Sequence, residues 1–172
     1  MKGLYRRFKR ALQNRDASAL ARLIQDHPEA HGCSARHGGV VFQIYQEAPE
    51  LLEAAFRAGL SPDTGQPDPE TFLQHVAAEG EIAVLRLALQ HGADPERRNK
   101  AGETALGYAC SYAQLEAVRC LVDAGADVNA IELHPDGFRY TALDSCSGTS
   151  EIEAFLRSKG AKTLSELERP GV

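Results

Sequence analysis

"HGADPERRNKAGETAL", residues 91–106, is dense in turn-forming and charged residues and admits two readings. As an active-site loop, His91, Asp94, Arg97, Arg98 and Glu103 would supply acid, base and anion-binding groups, with Gly92 and Gly102 turning the chain around a ligand. As a joint, the same stretch would end one helix at Gly92 and start the next near Thr104. The choice between them is made 33 residues further on.

"LQHGADPERRN" at 89–99 is echoed by "VDAGADVNAIE" at 122–132, which sets Gly92 and Gly125 33 residues apart, and Gly59 in "RAGLSPD" lies 33 before Gly92. "TFLQHVAAEG" from Thr71 and "TALGYACSYA" from Thr104 keep the same step. Gly160 follows Gly125 by 35, because "IELHPDGFRY" adds four residues before Thr141 and the last unit loses two after it. A fixed period of this length marks a repeat array, in which insertions go to loops. Between each Thr and the following Gly lie two short helical patterns, such as Leu73, Val76 and Ala77, then Val84, Leu85, Leu87 and Leu89. Helices this short do not hold alone; they gain a continuous core only by pairing and stacking. Ala77, Ala109 and Cys146 are small enough to let neighbouring helices approach, and Leu121 belongs to the core between units.

These residues resemble the ankyrin repeat, whose 33-residue unit carries a T-P-L-H-x-A-A segment and a G-A-D-x-N turn. "GETALGYAC" through "LVDAGADVNA" is a close match, "ETFLQHVAAEG" through "LQHGADPERRN" a good one, and "ELLEAAFRAGLSPD" a looser one. "FKRALQNRDASALARLIQDHP" resembles a degenerate amino-terminal capping repeat, and "TALDSCSGTSEIEAFLRSKGAKTLSEL" a terminal one, with Thr163 and Glu166 suggesting a capping box. The resemblance implies an all-α ankyrin-repeat α-solenoid with hairpin-like finger loops: a small stand-alone array of about five units. It divides into a cap at 1–32, central repeats at 33–65, 66–98 and 99–135, and a cap at 136–172. The motif's Pro is replaced by Phe72, Ala105 and Ala142, and its His by Gln74, Gly107 and Asp144, so the hydrogen bonds that the motif's His makes between turns are in question in this chain. Gly38 and Gly39 stand where the first full repeat would carry Thr-Pro. The stretch at 91–106 is thus the joint.

Composition bounds the function. A net charge of −5 argues against general affinity for nucleic acid, and no window approaches a membrane span. Residues 1–15 carry Lys2, Arg6, Arg7, Lys9, Arg10 and Arg15 without an acid, leaving 13 basic against 24 acidic residues, or −11, for the rest. A basic partner would be steered to that remainder. Leu4, Phe8 and Leu12 recur every four residues in "MKGLYRRFKRALQNRD", so the segment reads as a first helix facing the core; an amphipathic membrane-surface or targeting helix is the competing reading. Cys33, Cys110, Cys120 and Cys146 lack CxxC spacing and read as reduced thiols of a cytoplasmic protein, expected to be a monomer on its own.

Two constellations could carry chemistry. His27, His31, Cys33 and His37 are donors that zinc favours, but Pro28 and Gly32 break the helix that would align them, and no metal or cofactor is expected. Cys146, His134 and Asp144 could form a cysteine hydrolase, yet Cys146 holds the small-residue position of an inner helix, and no catalysis is expected. What remains is a surface. Family resemblance implies that a protein partner is gripped by the fingers and the exposed face of the inner helices. Here that face would show Phe42 and Tyr45, His75 and Glu79, Tyr108 and Tyr112, joined by Phe138, Arg139 and Tyr140, with His134, on the inserted finger. Tyr112 and Tyr140 are expected to be largely exposed; Phe42 and Tyr108 could instead pack between repeats. The function expected is a non-enzymatic interaction module, an adaptor or regulator. The alternatives are a cytoplasmic inhibitor or immunity-type protein neutralising a basic toxin or enzyme, and a metal protein or hydrolase built on His27 and Cys33.

Overall fold

Helices start where a capping side chain can satisfy their free amides. The Thr71 hydroxyl accepts from the Gln74 amide at the head of α5 (Phe72–Ala78), and Thr104 does the same for the Gly107 amide at α7 (Ala105–Ser111). Asp16 caps the Ala19 amide at α2 (Ala17–Asp26), and Thr163 and Glu166 form the expected capping box on the last turn, Leu164–Leu167. The computed structural model describes residues 2–28, 39–65, 70–134, 136–146 and 150–169.

Helices end alike. Three residues after Phe56, Leu89, Val122 and Arg157 comes a glycine, followed by Leu60, Ala93, Ala126 or Ala161, whose amide reaches back to the carbonyl five residues before it at 3.0–3.1 Å. This closure needs a left-handed residue at the glycine, and Gly92 (φ +83°) and Gly125 (φ +95°) supply it. The residue after the glycine is buried each time, which adds the apolar contact that fixes the turn.

In chain order the elements are α1 (Lys2–Gln13), α2, α3 (Val40–Glu47), a 3-10 turn at Pro49–Leu51, α4 (Leu52–Arg57) and α5. There follow α6 (Ile82–Gln90), α7, α8 (Leu115–Asp123), strands β1 (Ile131–Leu133) and β2 (Arg139–Thr141), α9 (Ala142–Ser145), α10 (Ser150–Ser158) and α11 (Leu164–Leu167). Consecutive helices pair, and the pairs stack: α5, α7 and α9 form an inner row to which Phe42 joins α3, while α2 lies on α4 and α6 on α8. One apolar core runs from Phe8 to Ala161, with Leu12, Leu52, Leu85, Leu121 and Leu156 at its centre. Phe8, Ala11 and Leu12 are buried in that core, and Leu4 is partly buried against it, so the apolar stripe of α1 faces the rest of the protein.

The fingers are stitched at nearly the period of the sequence. The Asp94 amide donates to Asp63, the Asp127 amide to Glu96 and the Lys162 amide to Asn129, each 31 to 33 residues away. Within 91–104 the finger is a chain of turns, with Gly102 donating to the Asn99 carbonyl, and carries no strand. The inserted segment does form a two-stranded ladder, pairing Ile131 with Thr141, Glu132 with Tyr140 and Leu133 with Arg139.

Candidate partner-binding face

The inner helices end in αR or near-αR caps at Glu79 and Tyr112, which bring the residues of their last turns to one face. Tyr45 is half-buried there, its ring edge-on to Phe72 and His75, both at 5.7 Å. His75 receives support from Glu70, whose Oε1 lies 2.9 Å from Nδ1. Tyr108 and Tyr112 stack with their centroids 6.2 Å apart, and Tyr112 is 60% exposed. Glu79 is exposed at the end of α5.

Two expectations need correction. Phe42 is 7% exposed: it sits under this face, edge-on to Phe72 at 5.4 Å, because α3 rotates its third residue into the seam with α5. Tyr140 is half-buried, since the strand alternation that turns Arg139 outward turns Tyr140 inward, where its hydroxyl donates to Glu103 Oε1 at 3.0 Å. Phe138 is 73% exposed at the hairpin end, while Arg139 leaves the face to pair with Glu168 at 2.7 Å. Tyr45, His75, Tyr108 and Tyr112 therefore share the face with Tyr140 at its edge; Arg139 does not join them.

Glu70 and Glu103 hold these rings; the sequence offers Glu103 only as an acid of the rejected loop reading and Glu70 not at all, although the two occupy matching positions 33 apart, each just before the Thr. Glu103 is fixed by Asn99, whose Nδ2 donates to Oε2 at 2.8 Å and whose Oδ1 accepts the Glu103 amide. Asn99 Nδ2 also reaches the Tyr108 hydroxyl at 3.3 Å. These carboxylates charge the face. Burial, then Glu103 and Glu70, push the Tyr108 phenol up to about 12, and burial, then Glu81 and Glu79, raise that of Tyr45.

The replaced motif histidines find three different substitutes. Gln74 accepts the Thr71 amide and donates across to the Glu103 carbonyl at 2.6 Å, linking two units. Asp144 accepts the amides of Thr141 and Leu164. Gly107 has no side chain, and Glu132 from β1 fills its place: Oε1 takes the amide and hydroxyl of Thr104, and a Cβ on Gly107 would lie 2.6 Å from Glu132 Cδ. Glu132 is 1% exposed, and its Oε2 has no hydrogen-bond partner among the described residues.

Burial raises the Glu132 pKa above the ordinary 4.5, Glu103 adds to the rise, and the Thr104 bonds and Arg98 oppose it. Tyr140 and the Cys110 thiol also face it. A carboxyl that holds its proton more tightly when folded stabilises fully below 4.5 and loses that contribution as pH rises through its folded value. Glu132→Gln, which cannot ionise, should therefore melt progressively higher relative to the parent as pH is raised above 4.5. Parallel melting curves from pH 4 to 8 check this; a constant difference would mean that the carboxyl does not titrate anomalously.

The other constellations are otherwise engaged. Cys146 is buried and donates to the Ala142 carbonyl, Asp144 serves as a cap, and His134 Nδ1 accepts from the Asp136 amide. A hydrogen bond with Cys146, together with burial, keeps the Cys110 thiol protonated. Of the proposed metal donors, His27 closes α2, whereas His31, Cys33 and His37 lie outside the described residues. Among the described residues no group of three or more His, Cys, Asp or Glu is placed to hold a metal ion.

A family model described as ankyrin repeats in three copies matches residues 40–132. The chain is 32% identical over 101 residues to the potassium channel AKT1 of Arabidopsis thaliana, covering 59% of this chain and 11% of the channel. It is 42% identical over 64 residues to human (Homo sapiens) ankyrin repeat family A protein 2, covering 36% and 20%, respectively. With cortactin-binding protein 2 of Oryctolagus cuniculus it shares 34% over 86 residues, covering 49% and 5%. The chain thus spans a fifth or less of these relatives' length.

Proposed function

The chain belongs to the ankyrin-repeat family, a family of protein–protein interaction modules, and from that premise we propose that it is an adaptor or regulator gripping a basic protein partner on its inner face. The observation that carries this reading is the exposed, stacked Tyr112 beside Tyr108, Tyr45 and His75, in the field of Glu70, Glu79, Glu81 and Glu103. Aromatic rings flanked by carboxylates suit a Lys or Arg side chain, which meets a π face and a counter-charge together. Phe138 extends the contact from the hairpin finger. The net −11 of residues 16–172 also favours the second role, an inhibitor or immunity-type protein that covers a basic toxin or enzyme. No helix among the described residues is long and apolar enough to cross a membrane, and the setting proposed is the cytoplasm.

Tyr112→Ala should weaken binding of the partner that co-purifies from the native cell by about thirtyfold, the effect of losing about 2 kcal/mol at an interface centre. It should leave the melting curve nearly intact, because the ring is 60% exposed. Arg86→Ala with Gln90→Ala, exposed on outer helix α6, is the control and should change affinity little. Affinity of the parent should fall as salt rises if the partner is basic. Loss of binding in the α6 pair with retention in Tyr112→Ala would place the interface elsewhere.

A further inference from the structure

The positive charge of the first fifteen residues is not dispersed by the fold but gathered. α1 and α2 enclose a cleft of about 450 Å³ lined by Arg7, Arg10 and Asn14 on one side and Asp16, Ala19 and Arg22 on the other. Ala11 and Leu23 form its floor and are buried. All these residues come from α1, α2 and the turn between them, so the cleft is complete within the first helix pair.

The turn is rigidly made. Arg15 takes a left-handed conformation (φ +53°), its guanidinium donates to the Glu47 carbonyl and pairs with Glu50 at 3.0 Å, and Asp16 is held as the α2 cap by the Ala19 amide. Six other arginines are matched: Arg57, Arg119, Arg139 and Arg157 each meet a glutamate, and Arg97 and Arg98 meet backbone carbonyls. Arg7, Arg10 and Arg22 have no such partner among the described residues, and the one carboxylate of the cleft is Asp16. Three guanidiniums against one carboxylate leave the cleft with two positive charges, in a chain whose net charge is −5.

We propose that this cleft binds a phosphoryl group carried by a phosphorylated serine or threonine of a partner protein. The charge matches: a phosphomonoester carries about −1.5 to −2 at neutral pH and offers three acceptor oxygens, which the planar forks of Arg take in pairs. A cleft of this size admits one such group with its flanking residues. A membrane headgroup layer fits less well, because the apolar face of α1 is already buried and the arginines converge on a recess instead of a plane. Phosphorylation of the partner would then gate docking at the first helix pair, a contact additional to the inner face; the source of the phosphoryl group rests on the binding-module reading, the site itself does not.

The test titrates the full chain, by amide NMR, with a heptapeptide carrying a central phosphoserine, with its unphosphorylated counterpart, with inorganic phosphate, and with vesicles of phosphatidylserine and phosphatidylcholine. The phosphopeptide should bind one-to-one with saturable shifts confined to residues 7–23, and the serine peptide should not. Arg7→Gln with Arg22→Gln should weaken it at least tenfold. Arg6→Gln with Lys9→Gln, the same change of charge outside the cleft, should weaken it less than threefold, and unchanged melting curves certify both folds. Equal weakening by the two pairs, or no saturable binding, overturns the site. Inorganic phosphate binding as tightly as the peptide, or binding to the vesicles alone, overturns the proposed source. Neither result alters the Tyr112→Ala measurement, so the two readings fail separately.

Discussion

Leu121→Asp is expected to unfold most of the array. Leu121 is fully buried in α8, where its carbonyl also closes the Ala126 turn, so the introduced carboxylate would sit in the seam between units without a counter-ion. An unpaired charge there costs at least several kcal/mol, comparable with the whole stability of a domain this size. In a stacked array the loss spreads, because α6 and α10 pack on α8 and each unit is stable only through its neighbours. Far-ultraviolet circular dichroism should show most helical signal gone at 25 °C. A parent-like melt would mean that α8 does not lie where its apolar stripe puts it.

The second large effect is a coupling between Gly107 and Glu132. Glu132→Ala leaves the buried Thr104 amide and hydroxyl without their shared acceptor and opens a void beside Gly107, a loss of about 3 kcal/mol. Gly107→Ala puts a methyl where the Glu132 carboxylate lies, and the carboxylate cannot swing to water because it is 1% exposed; displacing it from Thr104 costs about 2 kcal/mol. Together, the two changes should cost at least about 1 kcal/mol less than their sum, since the methyl enters space that Glu132 has vacated. Urea unfolding of the parent, both single variants and the double variant measures this. Strict additivity would mean that Glu132 does not occupy the place of the missing motif side chain.

The same pair shows where reading the sequence stops. The 33-residue step, the glycine turns at Gly59, Gly92 and Gly125, the Thr caps and the Thr163–Glu166 box are local or periodic, and the structure has them where the residues place them. Gly107 was legible as a departure from the motif, but its remedy comes from a residue 25 positions on, through a hairpin whose register no local pattern fixes. Tyr140 was misjudged for that reason: one residue of register decides whether Tyr140 or Arg139 meets Glu103, and the ladder turns Tyr140 inward. Phe42 differs from Tyr45 by less than a helical turn, and that rotation separates the floor of the face from its surface. Glu70 and Glu103 repeat with the glycines, yet once 91–106 is a joint, carboxylates ahead of a helix cap read as ordinary solvated ends until the rings are seen to lean on them.

Hydrogen–deuterium exchange on the complex with the co-purified partner tests the inner-face reading most directly, because it reports the footprint without altering a residue. Slowed exchange is expected in segments 71–80 and 104–114 and in the hairpin 131–141, with α6 and α8 unchanged. Protection confined to α6 and α8, with 104–114 exchanging as in the free chain, would contradict it.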